Sequence, residues 1–432
     1  MERRNFVKSL AASLFAIHLS PQLGEGLIDR FRVLEEDLGK ARDKRSFWRR
    51  VRQEFLLNPD LVYLNCGSVG SSPRVVVDAV ASYMYEMEGD PLHNEWGGIG
   101  AWMEDVRSRA AEFIGAEEGE IILTRNTTEG MNAVATGLRL KAGDEVLTTN
   151  HEHGGGMVCW QHLAKHFGVK VRYIKMPDPV ENKEQILDLV EQHITPETRV
   201  CSFSHVDTIT GLRMPIADIA RITRPRDILL ACDGAQAPGM LDVDVMALGV
   251  DTYASSSQKW MLSPKGCGLL YLRRGVQDRV QPVMLYDGYG AYTASMGTRN
   301  VPQILGHGVA MDFHNAIDRA HVEARIRQLN SLMRERLKQI PALRLLTPEQ
   351  PELSSGMVTF AVDPNKGRNG DIANRLFEMH NIIVKPAQGT YAYVPDPAPP
   401  SENYNALRFS THIFNSEAQI ERTADILAKM LA

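Results

Sequence analysis

The sequence predicts an α/β fold: a large domain with a mostly parallel seven-stranded sheet, followed by a smaller α+β domain. Between about residues 120 and 275, apolar strand-like runs alternate with helical stretches, which is typical of a parallel sheet covered by helices on both faces. After about residue 300 the pattern changes to one long helix, three short strand-like runs and a closing helix. We expect the large domain to span residues 46–300 and the small domain 301–432.

The strands of the large sheet are predicted from runs rich in apolar and β-branched residues, each bounded by polar or turn residues. In chain order they read IILTR, DEVLTTN, KVRYIKM, TRVCSFSHV, DILLACDG, DTYASSS and GCGLLYLRR. Amphipathic stretches such as MVCWQHLAKHFG and KEQILDLVEQHI lie between them and predict the covering helices. Ligands bind at the carboxyl ends of the strands in such sheets, so the polar residues that follow each strand are the candidates for function.

Composition argues against several classes of protein. The chain has 432 residues and a formal net charge of −5, with no basic stripe, so we expect no nucleic-acid partner. No apolar run is long enough for a membrane-spanning helix. The five cysteines are scattered without CxxC spacing, which predicts small core residues and neither a disulfide framework nor a metal site.

The N-terminal segment, residues 1–45, does not read as part of the fold. Arg3, Arg4 and Lys8 precede a modest apolar stretch, and the segment resembles a twin-arginine export signal followed by a linker. Two positions depart from that pattern, and no A-x-A cleavage site follows. A signal of this kind would place the folded protein in the periplasm. The alternative is an amphipathic N-terminal helix of a cytoplasmic protein.

Two of the polar groups at strand ends have the chemistry to bind a ligand, one an anion and the other a flat ring. Thr127 and Thr128 stand directly before an apolar-periodic helix, where hydroxyls and free backbone N–H groups can bind phosphate. His153 precedes three glycines, and we expect an open loop in which its imidazole can stack on a ring. Taken alone, the threonines could be simple helix caps and the histidine a turn residue.

Two further groups suit the rest of the same ligand. Asp233 ends the most apolar strand, where a buried carboxylate needs a cationic partner, either a protonated ring nitrogen or the other half of a structural salt bridge. Gln236 follows it one turn later. Lys259 follows the next strand, and a desolvated lysine there can form a Schiff base with an aldehyde. A phosphate, a stacked ring, a ring nitrogen and an aldehyde together describe pyridoxal 5'-phosphate, so the sequence predicts this cofactor.

With these residues in order, the chain from about residue 60 resembles the class V aminotransferase family of fold-type-I pyridoxal-phosphate enzymes. That family includes cysteine desulfurases and isopenicillin N epimerase. The resemblance implies an α/β fold of fold type I, an amino-acid or peptide-like small-molecule substrate and a homodimer. It assigns Lys259 as the catalytic imine-forming residue. The cofactor-binding residues that it implies are Lys259, Asp233, His153, Gln236, Thr208, Thr127, Thr128, Ser256, Gln258 and Thr298.

The resemblance also implies where the substrate binds. Arg408, in ALRFSTHIFNS, matches the arginine that clamps a substrate α-carboxylate, and Asn65, in LNCGSVG, is expected to contact the substrate as well. Thr208 stands where the family often has an asparagine. Thr298, in GTRN, resembles the residue that reaches the phosphate of the neighbouring subunit's cofactor. An exposed strand arginine is the alternative for Arg408.

The reaction stays open between transamination, epimerisation and β-elimination, because these residues serve all three. The loop VKPAQGTYAYVP lacks the cysteine that desulfurases carry, which argues against persulfide formation. LNCGSVG and GTRN are closer to the isopenicillin N epimerase-like branch, and Tyr391 and Tyr393 are candidate second acid/base groups or loop aromatics that pack between the domains. Another alternative is a catalytically silent binding protein on the same fold. A nucleotide-binding protein is disfavoured because no GxxxxGK[ST] or GxGxxG motif opens a helix.

Overall fold

The computed structural model describes residues 44–96, 99–387 and 404–432, together with Val33. The twin-arginine-like segment at Arg3 and Arg4, and the two loop tyrosines Tyr391 and Tyr393, lie outside the described residues.

The first part of the chain alternates helices and strands. Its elements are α1 (Lys44–Gln53), β1 (Val62–Tyr63), α2 (Arg74–Gly89), α3 (Pro91–Trp96), α4 (Ile99–Ile114), β2 (Ile121–Thr124), α5 (Thr127–Gly137), β3 (Glu145–Thr149), α6 (Gly154–Phe167), β4 (Lys170–Ile174), α7 (Lys183–His193), β5 (Thr198–Ser204), α8 (Ile216–Thr223), β6 (Leu229–Asp233), α9 (Val245–Leu248), β7 (Thr252–Ser256) and β8 (Gly268–Leu272). The second part continues with α10 (Val301–Ile317), α11 (Arg319–Leu337), β9 (Leu343–Leu345), β10 (Met357–Val362), α12 (Asn369–His380), β11 (Ile382–Ile383), β12 (Lys385–Ala387), β13 (Ala406–Ser410) and α13 (Glu417–Leu431).

The large sheet confirms the predicted fold. Its strand order is β2-β8-β7-β6-β5-β3-β4, and only β8 runs antiparallel to its neighbours. Every residue of β6, β7 and β8 is buried, because helices cover both faces of the sheet. The edge strand β4 exposes Lys170, whose charge discourages pairing with another strand. The parallel strands bring the segments after β3, β5, β6 and β7 to one edge of the sheet.

The small sheet is antiparallel, with strand order β12-β13-β10-β9. The helices α11 and α13 pack against each other beside it, and their leucines share an apolar core with β10 and β13. This is the α+β unit that the sequence predicts.

Packing crosses the expected boundary at residue 300. Helix α10 packs on α2 and α4 in the larger core, although it lies in the segment 301–432. In the other direction, β1 pairs with β11 and adds Val62 to the smaller core. The N-terminal segment after β1 is thereby held between the two sheets, so that Asn65 bridges to Ser410 at the end of β13.

Candidate active site

Lys259 lies in the tight turn that follows β7. The backbone N–H of Gly70 donates to the Gln258 carbonyl at 2.8 Å, and a Cβ on Gly70 would overlap the Lys259 carbonyl oxygen. The Cys66 thiol donates to the same carbonyl at 3.5 Å. The segment after β1 therefore packs directly on this turn. Burial lowers the pKa of Lys259 to about 8, so far more of its amine is uncharged and nucleophilic near neutral pH than in an exposed lysine.

Asp233 is the last residue of β6, as predicted, and its side chain is 6% exposed. Its Oδ1 accepts a hydrogen bond from the Ala235 N–H at 2.9 Å. Burial nevertheless raises its pKa, and the opposing charge of Lys259 offsets this only in part. A cation placed against this carboxylate, such as a pyridinium N–H, would stabilise its charged form.

The three glycines after His153 do not form the open loop that we expected. They are the first turn of α6, and His153 is its N-cap, with Nδ1 accepting from the Gly155 N–H at 3.0 Å. Glycine is required because of close packing: a Cβ on Gly156 would stand 2.5 Å from Asp233 Oδ2, and one on Gly155 would stand 2.5 Å from Thr128 Oγ1. Burial lowers the pKa of His153 to about 4, so its ring is neutral and suited to cover a flat ligand.

The phosphate end contains four predicted residues. The Thr127 N–H donates to Ser256 Oγ at 2.9 Å, and the two hydroxyls lie 2.8 Å apart. Both threonines lie inside the first turn of α5 and the cap is Asn126, so the helix begins two residues earlier than expected. Thr128 borders an open cavity of about 820 Å³. Gln258 Oε1 is buried and has no hydrogen-bond partner among the described residues.

Gln236 and Thr208 connect the cofactor end to the substrate end. The Gln236 Oε1 accepts from the Trp260 indole at 2.7 Å, and its Nε2 donates to the Gly67 carbonyl at 2.9 Å and approaches Thr208 Oγ1 at 3.4 Å. The amide is thus fixed at both ends. The sequence predicted Gln236 as a site residue. It did not predict the hydrogen bond from Trp260, the residue after Lys259.

Arg408 is a buried residue of β13, at 2% exposed, and not an exposed strand arginine. Its Nη1 donates to the Thr208 carbonyl at 2.8 Å and to Thr208 Oγ1 at 2.5 Å. Its Nη2 approaches Ser68 Oγ at 3.2 Å and Asn65 Oδ1 at 3.4 Å. Asn65 therefore lies where we expected it, and Ser68 is a contact that the sequence did not indicate.

Thr298 lies apart from these residues on the surface of the chain, where its side chain is exposed. Its expected role concerns a second subunit, so it stays a prediction.

Two charged residues at the site were missed from the sequence. Glu152 accepts hydrogen bonds from Thr149 Oγ1, from the Ser204 N–H and from Ser204 Oγ, and burial raises its pKa to about 8. Lys385 lies on β12 opposite Arg408. Glu152 was not predicted because the sequence indicates His153, directly after it, as the functional residue of that segment. Lys385 was not predicted because it begins a short strand, Lys385–Ala387, that carries no motif.

The residues present fit pyridoxal phosphate. The first turn of α6, which His153 caps, lies against Asp233 and Thr128 so closely that only glycines are accommodated at positions 155 and 156. Lys259 offers a nucleophilic amine, and the buried Gln258 amide can turn either its oxygen or its NH₂ group towards a ligand. Within the described part of the chain, no cluster of His, Cys, Asp or Glu suits a metal ion, and no helix is long and apolar enough to cross a membrane.

Comparison with known proteins agrees with this geometry. The Aminotransferase class-V family matches residues 62–423. The chain belongs to this family. Isopenicillin N epimerase from Streptomyces clavuligerus is 30% identical over 400 residues, which cover 88% of this chain and 97% of that protein. A probable cysteine desulfurase from Methanothermobacter thermautotrophicus is 28% identical over 408 residues, covering 88% and 97% of the two chains.

Solved structures share the fold of this class V chain. The apo structure of a cysteine desulfurase from Thermococcus onnurineus NA1 superposes with a TM-score of 0.76 at 24% identity, covering 89% of this chain and 98% of the other. A lysine-to-alanine variant of C-DES, with glycine covalently linked to its cofactor, gives 0.75 at 25% identity and covers 87% and 98%. Family membership and the residues around Lys259 identify pyridoxal phosphate as the cofactor.

Proposed function

We propose that this class V enzyme acts at Cα of an amino acid or an amino-acid-containing substrate, as an aminotransferase or an epimerase. The observation that carries the proposal is that the segment after β1 contacts both Lys259 and Arg408. Cys66 and Gly70 pack on the turn that holds Lys259, and Asn65 and Ser68 lie 3.4 and 3.2 Å from Arg408 Nη2. The charges of Lys259 and Arg408 also both lower the pKa of His153. An amine base beside a guanidinium is the arrangement that handles an α-amino acid.

Each residue has a separate task in this chemistry. The cofactor, when bound, supplies an aldehyde for the substrate amine and a ring that accepts the charge developing at Cα. Arg408, held in place by Thr208, orients the substrate carboxylate. The Lys259 amine removes and returns the Cα proton. Asp233 would keep the ring nitrogen protonated, and His153 would cover the ring and exclude water.

A persulfide relay on an enzyme cysteine is not supported. All five cysteines are buried and free of disulfides. Burial raises the pKa of each, including Cys66, whose thiol lies on the Lys259 carbonyl. A thiol of this kind stays protonated and is a poor nucleophile. A β-eliminating lyase is the second candidate, because the chain resembles the cystine C–S lyase C-DES at 26% identity with a TM-score of 0.72, and elimination needs no enzyme thiolate.

Covalent attachment of the cofactor tests the central assignment. Borohydride reduction of the holoenzyme should fix the cofactor on the peptide that contains Lys259, as read by mass spectrometry. Lys259→Ala should abolish the adduct, whereas Lys265→Ala, in the same connection between β7 and β8, should keep it. An adduct on another lysine, or one that persists in Lys259→Ala, would overturn the proposal.

The reaction type is tested with a panel of amino acids in deuterated water. An epimerase gives deuterium at Cα with inverted product, and an aminotransferase bleaches the cofactor until a keto acid restores it. A lyase gives pyruvate and ammonia from cysteine, cystine or serine. Products of elimination alone would contradict the aminotransferase or epimerase assignment.

We also propose that residues 1–45 direct the folded, cofactor-loaded protein to the periplasm. The support is the Arg3-Arg4 pair and the apolar stretch that follows it. Fusion of residues 1–45 to a reporter should give export that is lost when both arginines become lysine. Export that persists in the double variant would exclude a twin-arginine signal.

A further inference from the structure

Lys385 is the direct cross-strand neighbour of Arg408. The register of β12 and β13 places the two residues opposite each other on antiparallel strands, so their side chains share one face of the small sheet. Thr359 lies opposite Arg408 on the other side, and its hydroxyl donates to the Ile209 carbonyl. Arg408 itself bonds to Thr208. This face of the sheet therefore points towards the segment after β5, where the active site lies.

Lys385 is a second positive charge beside Arg408. Lys385 is half-buried, and among the described residues no carboxylate forms an ion pair with it. Burial and the charge of Arg408 both lower the pKa of Lys385, and its own charge lowers that of His153. If the α-carboxylate of a substrate binds Arg408, a second anionic group beside it would be stabilised by the charge of Lys385.

We propose that Lys385 forms a subsite for a second anionic group of the substrate, so that the preferred substrate is an amino acid or peptide-like compound with a distal carboxylate. The inference rests on the proposed function, because Arg408 must bind the α-carboxylate. The Cβ atoms of directly opposed residues are about 5 Å apart. The carboxyl carbons of a five-carbon dicarboxylate, joined by four bonds of about 1.5 Å, are separated by a similar distance.

Binding of simple carboxylates tests the subsite without turnover. Calorimetric titration of the holoenzyme with glutarate and with pentanoate compares a second carboxylate with a methyl group on chains of the same length. We expect glutarate to bind at least tenfold more tightly to the wild-type protein. Lys385→Met should remove this preference, Lys385→Arg should restore most of it, and the matched surface variant Lys170→Met should leave it unchanged.

Two outcomes would overturn the subsite. Equal weakening of both ligands by Lys385→Met would show that Lys385 only reinforces Arg408 at a single carboxylate. No change in either ligand would show that Lys385 faces away from the substrate.

Kinetics separate failure of this inference from failure of the proposed function. If the covalent adduct forms at Lys259 and glutamate reacts no better than glutamine, the subsite is wrong and the proposed function stands. If no adduct forms at Lys259, the proposed function is wrong, and the subsite inference falls with it. With both correct, Lys385→Met lowers the ratio of kcat/KM for glutamate to that for glutamine at least tenfold and leaves the absorption spectrum intact.

Discussion

Gly156 and Asp233 approach so closely that a Cβ on the glycine would stand 2.5 Å from a carboxylate oxygen. The first turn of α6 thus fixes the position of the carboxylate that ends β6. Because α6 contacts the carboxylate of Asp233 on one side, its position on that side is fixed before any ligand binds.

Gly156→Ala should therefore weaken cofactor binding. The added methyl group displaces Asp233, and a charged hydrogen bond is worth about 1.5–3 kcal/mol, so the dissociation constant should rise at least tenfold. Fluorescence or absorbance titration of the apoenzyme with pyridoxal phosphate measures the change. Gly100→Ala, in a helix where a Cβ meets nothing within 4 Å, is the control and should bind normally. Equal affinities in the two variants would contradict the close approach.

Covalent attachment of the cofactor should follow the lowered pKa of Lys259. Only the uncharged amine attacks an aldehyde, so the rate of attachment should rise with pH and level off above a midpoint near 8. Stopped-flow absorbance of apoenzyme mixed with cofactor gives the profile. In Asp233→Asn, loss of the nearby negative charge should move the midpoint lower. A wild-type midpoint above 10 would show that the amine is exposed to water.

Arg408→Lys should lose substrate affinity while it keeps the cofactor. Lysine cannot reproduce the planar fork that binds a carboxylate through two hydrogen bonds, and the contacts to Thr208 are lost as well. One charged hydrogen bond of about 1.5–3 kcal/mol corresponds to a 10- to 100-fold fall in kcat/KM. Spectral titration with amino acids measures binding, and an unchanged cofactor spectrum checks the fold. Normal substrate affinity would remove Arg408 from the carboxylate site.

His314 should destabilise the folded protein in mild acid. It is fully buried, and burial lowers its pKa to about 4, an effect that the nearby backbone of Trp260 and Met261 offsets only in part. As pH falls from 6.5 towards 4, this histidine becomes protonated in the unfolded chain but stays neutral in the folded chain, so the free energy of unfolding falls. Glu152 has the opposite effect. Its pKa is raised from 4.5 to about 8 in the folded chain, so the stability that its protonated form contributes is lost as pH rises towards 8.

The variant His314→Phe measures how much His314 contributes to the pH dependence of stability. Between pH 7.5 and pH 5, the free energy of unfolding should fall by about 2 kcal/mol less in this variant than in the wild-type protein. Urea denaturation at both pH values measures the difference. His321→Gln, on the surface, should behave as wild type. Identical pH dependence in His314→Phe and wild type would mean that His314 is hydrated.

A second copy of the chain should complete the cofactor site. Thr298 is exposed, and so is Val283, which lines the cavity that Thr128 borders and is 84% exposed. Tyr286, three residues after Val283, is 91% exposed. We expect a dimer in sedimentation and weaker cofactor binding by Thr298→Ala. A mixed dimer of Thr298→Ala and Lys259→Ala should contain one site with normal affinity, because its Thr298 comes from the other chain. Weak cofactor binding at that site would show that Thr298 acts on the cofactor of its own subunit and not on that of the other chain.

Much of the site could be predicted because parallel strands are continuous apolar runs with polar residues at their ends. Asp233 and Lys259 stand out for that reason. Contacts that depend on packing could not be predicted. The glycines after His153 read as a loop because nothing local reveals the approach of Asp233. Lys385 reads as an ordinary strand lysine because its neighbour across the sheet is 23 residues away in the sequence.

The contact between Asn65 and Arg408 joins residues separated by 343 positions. During synthesis, the lysine and the carboxylate that hold the cofactor leave the ribosome well before the arginine that binds the substrate. At about 5–20 residues per second, the roughly 150 residues between Lys259 and Arg408 take about 10–30 s to make. The substrate end of the pocket is therefore the last part of the site that can form, because it needs a strand that is made long after the residues that hold the cofactor.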